Sequence, residues 1–114
     1  MKRFLPILIL ISFLAKTALA GFIDNKTLWD NMSNLQKTGY VQGVFDLHTT
    51  LMTSDSQEMI ALKKHTVQCV LSMKMTAQGM VDLVNTMYQN DISIWKHAPW
   101  FALLNGMTEM CGAP

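Results

Sequence analysis

Apolar residues recur at helical spacing in the part of the chain that follows residue 20. Their positions step by three or four, which places them on one face of a helix with a period of 3.6 residues. A polar residue that can cap the start of this helix precedes them, either Asp24 or Thr27. The sequence therefore predicts a first short helix, with an apolar face made of Leu28, Trp29, Met32 and Leu35.

A second run of apolar positions with the same spacing begins after Lys37-Thr38-Gly39. It predicts a second helix, with a face made of Tyr40, Val44, Leu47 or His48, and Leu51. Gly39 and Gly43 lie four residues apart on this helix. Because glycine lacks a side chain and is unfavourable within a helix, the pair predicts that another helix approaches closely here.

The middle of the chain carries weaker helical signals. Residues 53–56 are polar, and Asp55 followed three residues later by Glu58 is typical of a helix start. We expect a short turn of helix there, through Met59, Ile60 and Leu62. Residues 66–71 contain β-branched side chains and no helical stripe, so they predict an extended connector.

The C-terminal part of the chain predicts two further helices joined by a loop over residues 89–98. Thr76 caps the first of them, and Pro99 suits the first position of the second, which ends near Cys111. The expected inward residues are Met80, Leu83, Val84 and Met87 in the first, and Leu103, Leu104, Met107 and Met110 in the second. With no strand alternation, the predicted fold class is all-α, a small bundle of four to five helices.

The N-terminus has the features of a cleavable export signal. Lys2 and Arg3 precede an apolar run over residues 4–15, which is shorter than the roughly 20 residues that a membrane-spanning helix needs. Ala18-Leu19-Ala20 then offers the small residues that signal peptidase recognises. We expect residues 1–20 to be a signal peptide and residues 21–114 to form a single periplasmic domain that no longer contacts the membrane.

The charge of the processed chain disfavours two classes of partner. Removing Lys2, Arg3 and Lys16 leaves six basic and eight acidic residues, a net charge of −2. Nucleic-acid binding rewards clustered lysine and arginine, and a membrane-surface helix needs a basic face. We therefore expect neither nucleic acid nor a membrane surface as a partner.

The two cysteines of the chain predict a disulfide. Cys69 and Cys111 are the only pair available, and a lone pair in an oxidising compartment usually bonds. The bridge would close a loop of about 42 residues, for which the loop-closure entropy amounts to about 4 kcal/mol. A structural role is favoured over a redox one, because the cysteines lack Cys-x-x-Cys spacing and lie among apolar residues.

The remaining residues show no catalytic or metal-binding pattern. His48, His65 and His97 are scattered, and no Ser, Cys or acid stands in a recognisable catalytic motif. We therefore expect no enzyme activity, cofactor or metal. The one alternative is a thioether copper site at Met73 and Met75. Five of the ten methionines stand at core spacing, where methionine fills gaps: Met32, Met80, Met87, Met107 and Met110.

The order of these features resembles the Rap/Tai family of periplasmic immunity proteins. The resemblance extends from about Leu28 to Cys111. It is carried by Gly39-Tyr40-Val41-Gln42-Gly43-Val44 on a helix, by Cys69, by Thr76-Ala77-Gln78 at a helix start and by a final helix that reaches Cys111. Gly39, Tyr40 and Gly43 match the family's Gly-Tyr-x-x-Gly segment, and the two cysteines match its C-terminal disulfide pair.

The resemblance implies a small all-helical protein, often a homodimer, that neutralises a peptidoglycan-cleaving amidase effector delivered by type VI secretion. An inhibitor of this kind needs a rigid scaffold that presents a loop to the toxin. We expect that surface in the predicted loop, where polar groups stand beside aromatic ones: Gln89, Asn90, Asp91, Trp95 and His97. Trp95 and Trp100 could each be a partner anchor or a cap on the core.

A second interpretation is a periplasmic acid-stress chaperone of the HdeA-like kind. Such a protein is also small, helical and closed by a disulfide, and it exposes apolar surface when acid protonates its carboxylates. Methionine-rich amphipathic faces suit the binding of varied clients. Protection of an unrelated protein from aggregation in acid distinguishes this interpretation from the immunity role.

Overall fold

The computed structural model describes residues 23–114, which form five helices and no strand. The helices are α1 (Lys26–Asp30), α2 (Asn34–Thr49), α3 (Gln57–Ser72), α4 (Ala77–Asn90) and α5 (Pro99–Cys111), with a short 3₁₀ helix at Ile92–Ile94 between the last two. The predicted all-α fold class is confirmed. Within this range no helix has the length and apolar character needed to cross a bilayer. The predicted signal peptide, residues 1–20, lies outside the described residues.

The first predicted helix is divided in two. Asn25, not Asp24 or Thr27, caps α1 by accepting a hydrogen bond from the Leu28 N–H at 2.9 Å. A new helix begins at Ser33, where a capping box joins the side chains and backbone N–H groups of Ser33 and Gln36. Leu35 therefore belongs to α2 and is 83% exposed, because the new helix turns it away from the core.

The apolar face of α2 also differs from the predicted one. Val41 is fully buried, while Tyr40, Val44 and Phe45 are partly buried and pack against the core. Leu47 is exposed, and Leu51 lies beyond the end of the helix. The chain thus buries a stripe centred on Val41.

The predicted extended connector over residues 66–71 is wrong, because these residues form the second half of α3. Ser56 starts this helix by accepting a hydrogen bond from the Met59 N–H at 3.1 Å. Val70 is buried in the core, so packing outweighs the weak preference of β-branched residues for extended backbone. Asp55 does not cap α3 but forms an ion pair with Lys63, with Oδ2 and Nζ 2.7 Å apart.

Helices α4 and α5 supply most of the core. Thr76 caps α4 as predicted, accepting a hydrogen bond from the Gly79 N–H at 3.0 Å, and Pro99 begins α5. Of the predicted inward residues of α4, Met80 and Val84 are buried, and Leu83 and Met87 pack against the core at its edge. The buried residues of these two helices are Met80, Val81, Val84, Tyr88, Pro99, Ala102, Leu103, Gly106 and Met107.

The close helix approach occurs at a different glycine from the predicted pair. Apart from the adjacent residues and the backbone of α2 itself, no atom of residues 23–114 lies within 4 Å of a Cβ built at Gly39 or Gly43. A Cβ built at Gly106, in contrast, would lie 2.8 Å from Leu83 Cγ and Cδ1. Gly106 therefore lets α5 pack closely on α4, and the two glycines of α2 face away from the core.

The predicted disulfide between Cys69 and Cys111 is confirmed, with Cα atoms 5.8 Å apart. Cys69 lies within α3 and Cys111 at the last position of α5, so the bridge ties the ends of two helices together. The His65 Nε2 atom lies 2.9 Å from the Cys111 carbonyl oxygen and adds a second link at the same end. The hairpin of α4 and α5 is thereby fastened to α3.

Candidate partner-binding site

The predicted binding loop is more ordered than the sequence suggests. Gln89 and Asn90 are the last residues of α4, so they are exposed helix residues and not loop residues. The extended backbone of Asp91 ends α4, and its carboxylate accepts a hydrogen bond from the Ser93 N–H at 3.0 Å. This cap starts the 3₁₀ helix Ile92–Ile94 and fixes the path of the chain towards α5.

Trp95 is held in place from two sides while part of its ring stays in solvent. Its indole N–H donates to the Tyr88 carbonyl oxygen at 2.6 Å, and its own carbonyl oxygen accepts from the Lys26 N–H at 3.0 Å. The Lys26 ammonium lies 5.0 Å from the centroid of the indole ring, within cation–π range. The side chain is 43% exposed, so Trp95 both closes the core and offers surface to a partner.

Tyr88 supports this segment from below. Its side chain is buried, and its hydroxyl donates to the His97 carbonyl oxygen at 2.7 Å. Burial, and to a smaller extent the nearby Tyr40 and Asp30, raises the pKa of Tyr88 above its ordinary value. The phenol therefore stays protonated at physiological pH and keeps donating this hydrogen bond.

His97 packs at the start of α5. Its ring is half-buried and stacks on Phe101, with ring centroids 4.4 Å apart. The role of His97 in partner binding stays a prediction.

Trp100 contacts other residues than Trp95 does. Its ring stacks on His48 of α2, with centroids 6.2 Å apart, and remains half exposed. Its backbone N–H donates to the Tyr40 hydroxyl at 3.1 Å. Tyr40, the aromatic residue of the Gly-Tyr-x-x-Gly segment, thus links α2 to the start of α5, and burial raises its pKa.

Two residues that the sequence did not indicate complete the exposed surface. Ile92 stands beside Asp91 and is 73% exposed. Lys26 belongs to α1, far away in sequence, and forms an ion pair with Asp30 at 2.5 Å. An apolar residue between polar neighbours could have indicated Ile92, but no local pattern connects Lys26 to Trp95. We call Lys26, Asp91, Ile92 and Trp95 the Trp95 surface.

Three comparisons bear on the identity of the chain. No protein-family model, curated protein or solved structure matches it. Across the part of the chain that the structure describes, no three His, Cys, Asp or Glu side chains lie together so as to hold a metal ion.

The two methionines of the alternative copper site, Met73 and Met75, have different surroundings from each other. Met75 packs against the core, and its Cγ is the nearest atom to a Cβ built at Gly79. Met73 is exposed, with its sulfur 3.8 Å from the Cys69 sulfur. Because that cysteine sulfur is bonded to Cys111, the surroundings of Met73 contain a disulfide and not a thiolate ligand.

Proposed function

We propose that this protein is a periplasmic immunity protein that binds and inhibits a peptidoglycan-cleaving amidase effector of the type VI secretion class. The single observation that carries the binding role is the immobilised, half-exposed indole of Trp95. The resemblance to the Rap/Tai family supplies the class of the partner. In this proposal the protein acts as a rigid inhibitor and not as a catalyst.

The contacts around Trp95 lower the entropy cost of binding. Hydrogen bonds to Tyr88 and Lys26 fix both the ring and the backbone before a partner arrives. Immobilising a flexible side chain at an interface costs about 0.5–1.5 kcal/mol, and a tryptophan that is already held avoids much of this cost. Tryptophan is also prominent among the residues that dominate binding energy.

The chemistry of the Trp95 surface suits a protein partner. Ile92 and Trp95 provide exposed apolar area, the Lys26 ammonium lies over the indole ring, and Asp91 adds an exposed carboxylate next to Ile92. An apolar centre with a polar edge is the usual composition of protein interfaces. The α4–α5 hairpin that bears this surface is fastened by the disulfide, so the surface keeps its shape outside the reducing cytoplasm.

The test starts from the neighbouring genes, one of which this proposal predicts to encode a small cysteine-hydrolase amidase. We expect the purified protein to bind that amidase and to block its cleavage of peptidoglycan. Substitution Ile92→Asp or Trp95→Ala should weaken binding by about tenfold or more, which is about 1.4 kcal/mol. Isothermal titration calorimetry measures the affinity, and circular dichroism checks that each variant is folded.

The matched control for Ile92→Asp is Leu35→Asp, which places the same charge on another highly exposed aliphatic residue. This control should bind like the unsubstituted protein. Absence of binding by the unsubstituted protein would refute the immunity role. Binding that survives both Ile92→Asp and Trp95→Ala would refute only the assignment of the surface.

An acid-stress chaperone is the second candidate, and a specific feature favours it. Exposed apolar residues lie in the connection between α2 and α3, which the Asp55–Lys63 ion pair fastens, and in the adjoining helix ends: Leu47, Leu51, Met52, Met59 and Leu62. Protonation of Asp55 would loosen this connection and expose more apolar surface. Suppression of aggregation of an unrelated protein at about pH 2, well below the ordinary pKa of a free aspartate side chain, would support this role, and no suppression would exclude it.

A further inference from the structure

A second candidate site lies between α2, α3 and α5, away from Trp95. It is a cleft with a volume of about 460 Å³, open to solvent on one side. Its walls are mainly apolar, with Phe45 from α2, Met59 and Leu62 from α3, and Leu104 and Met107 from α5. Pockets that hold small molecules have volumes of about 300–1,000 Å³ and mostly apolar walls with a few polar groups, so the cleft is of suitable size and composition.

The size of the cleft favours a long aliphatic chain over a single ring. An apolar cavity of about 150 Å³ holds one benzene molecule, so about three times that volume accommodates roughly a dozen to eighteen carbons. Met59 and Leu62 are exposed where they line the cleft. A chain lying there would remove their apolar surface from water, which favours binding.

The ionisable side chains that line the cleft are all basic. They are His48 and Lys63, and no Asp or Glu side chain is among the lining residues. The Lys63 ammonium donates to the Thr50 carbonyl oxygen and to Asp55 Oδ2, both at 2.7 Å. An ammonium has three N–H donors, so one remains for a further oxygen. Asp55 lines a neighbouring depression and not the cleft.

The two basic residues are placed by contacts with neighbouring elements. His48 stacks on Trp100, near the start of α5, and Lys63 bonds to Thr50, just after the end of α2. Cys111 and residues 112–114 also line the cleft. The anionic head of a bound amphiphile would therefore lie beside His48 and Lys63, and its tail would lie along the apolar walls.

We propose that this cleft binds a long-chain carboxylic acid, with the carboxylate beside His48 and Lys63 and the aliphatic chain between α2, α3 and α5. This site is separate from the Trp95 surface, and its occupancy does not depend on the immunity role. The ligand class follows from three properties of the cleft together: its volume, its apolar walls and its basic lining residues.

The first experiment titrates laurate, below its micelle-forming concentration, into the purified disulfide-bonded protein by isothermal titration calorimetry. We expect saturable binding of one laurate per chain. Leu62→Trp should fill the cleft and lower the affinity by about tenfold or more. The matched control is Leu71→Trp, which alters another exposed leucine of α3 outside the cleft and should bind normally.

The second experiment tests the charge of the head group. Dodecyltrimethylammonium has a chain of the same length and a positive head, so we expect it to bind about tenfold more weakly than laurate. His48→Glu should weaken laurate binding and not that of the cation. Equal affinity for the two amphiphiles would overturn the assignment of an anionic ligand.

Three other results would overturn the site itself. The first is that the folded protein shows no saturable laurate binding. The second is that Leu62→Trp and Leu71→Trp lose laurate affinity equally, and the third is that Leu62→Trp leaves the affinity unchanged. Light scattering provides a further check on the occupant. A dimer of the unsubstituted protein that Leu62→Trp converts to a monomer would assign the cleft to a second copy of the chain and overturn the ligand proposal.

Discussion

The helix glycines differ in whether packing requires them. A side chain at Gly39 or Gly43 of α2 would contact no other described helix, whereas one at Gly106 of α5 would meet Leu83. Glycine within a helix is less favourable than alanine by about 0.5–1 kcal/mol. We therefore predict that Gly39→Ala and Gly43→Ala each raise the free energy of unfolding by about 0.5–1 kcal/mol, measured by urea denaturation.

Gly106→Ala is the matched comparison and should have the opposite effect. Its new methyl group would lie 2.8 Å from Leu83 Cγ, and such overpacking typically costs about 1–3 kcal/mol. A stability loss in Gly39→Ala or Gly43→Ala would contradict the exposure of this face in solution. Packing of a second copy against α2 would produce that loss, in keeping with the dimers that the Rap/Tai resemblance implies.

At the level of elements, an ion pair fastens the connection between α2 and α3. Lys63, through its hydrogen bond, and the Met52 N–H hold the pKa of Asp55 below its usual range. A lowered folded-state pKa contributes stability above the unfolded value, about 3.9, and this stability is lost as the pH falls through the folded value. We predict that the free energy of unfolding falls between about pH 5 and pH 2, and that Asp55→Asn reduces this dependence.

Asp46→Asn is the matched control for this prediction. Asp46 is an exposed carboxylate near the end of α2, so its removal should leave the pH dependence close to that of the unsubstituted protein. Urea denaturation at several pH values measures each slope. Equal slopes for Asp55→Asn and the unsubstituted protein would show that the ion pair does not fasten the connection.

The sequence predicts the starts of some helices and not the extent of others. The sequence predicts the starts of α4 and α5 correctly, because Thr76 and Pro99 are strong local signals for a helix start. The break before α2 was also encoded, in the Ser33–Gln36 capping box, but the continuing apolar spacing through Met32 concealed it. The sequence does not predict the length of α3. Tertiary packing, and not helix propensity, holds the β-branched residues of its second half in the helix.

In the candidate site, too, the sequence predicts some features and not others. Asp91 and Trp95 could be recognised as exposed polar and aromatic residues of one segment, and the structure places both at the surface. The contact of Lys26 with Trp95, and the stacking of His97 on Phe101, depend on how distant segments pack. No local pattern carries that information.

At the scale of the whole molecule, the disulfide determines how firmly the bundle is closed. It joins positions 42 residues apart, and closing a loop of that length lowers the entropy of the unfolded chain by an amount worth about 4 kcal/mol. A domain of this size has a net stability of about 5–15 kcal/mol. Replacing Cys69 and Cys111 by alanine should therefore remove a large part of it.

Urea denaturation of the double alanine variant, with and without reductant, measures this contribution. We expect a loss of about 2–4 kcal/mol that reduction of the unsubstituted protein reproduces, while reductant leaves the variant unchanged. Because α4 and α5 still bury Met80, Val84 and Leu103 without the bridge, the variant should remain helical. An unchanged free energy of unfolding would mean that packing alone holds α3 against α5, since the covalent link would then add nothing that the core does not already supply.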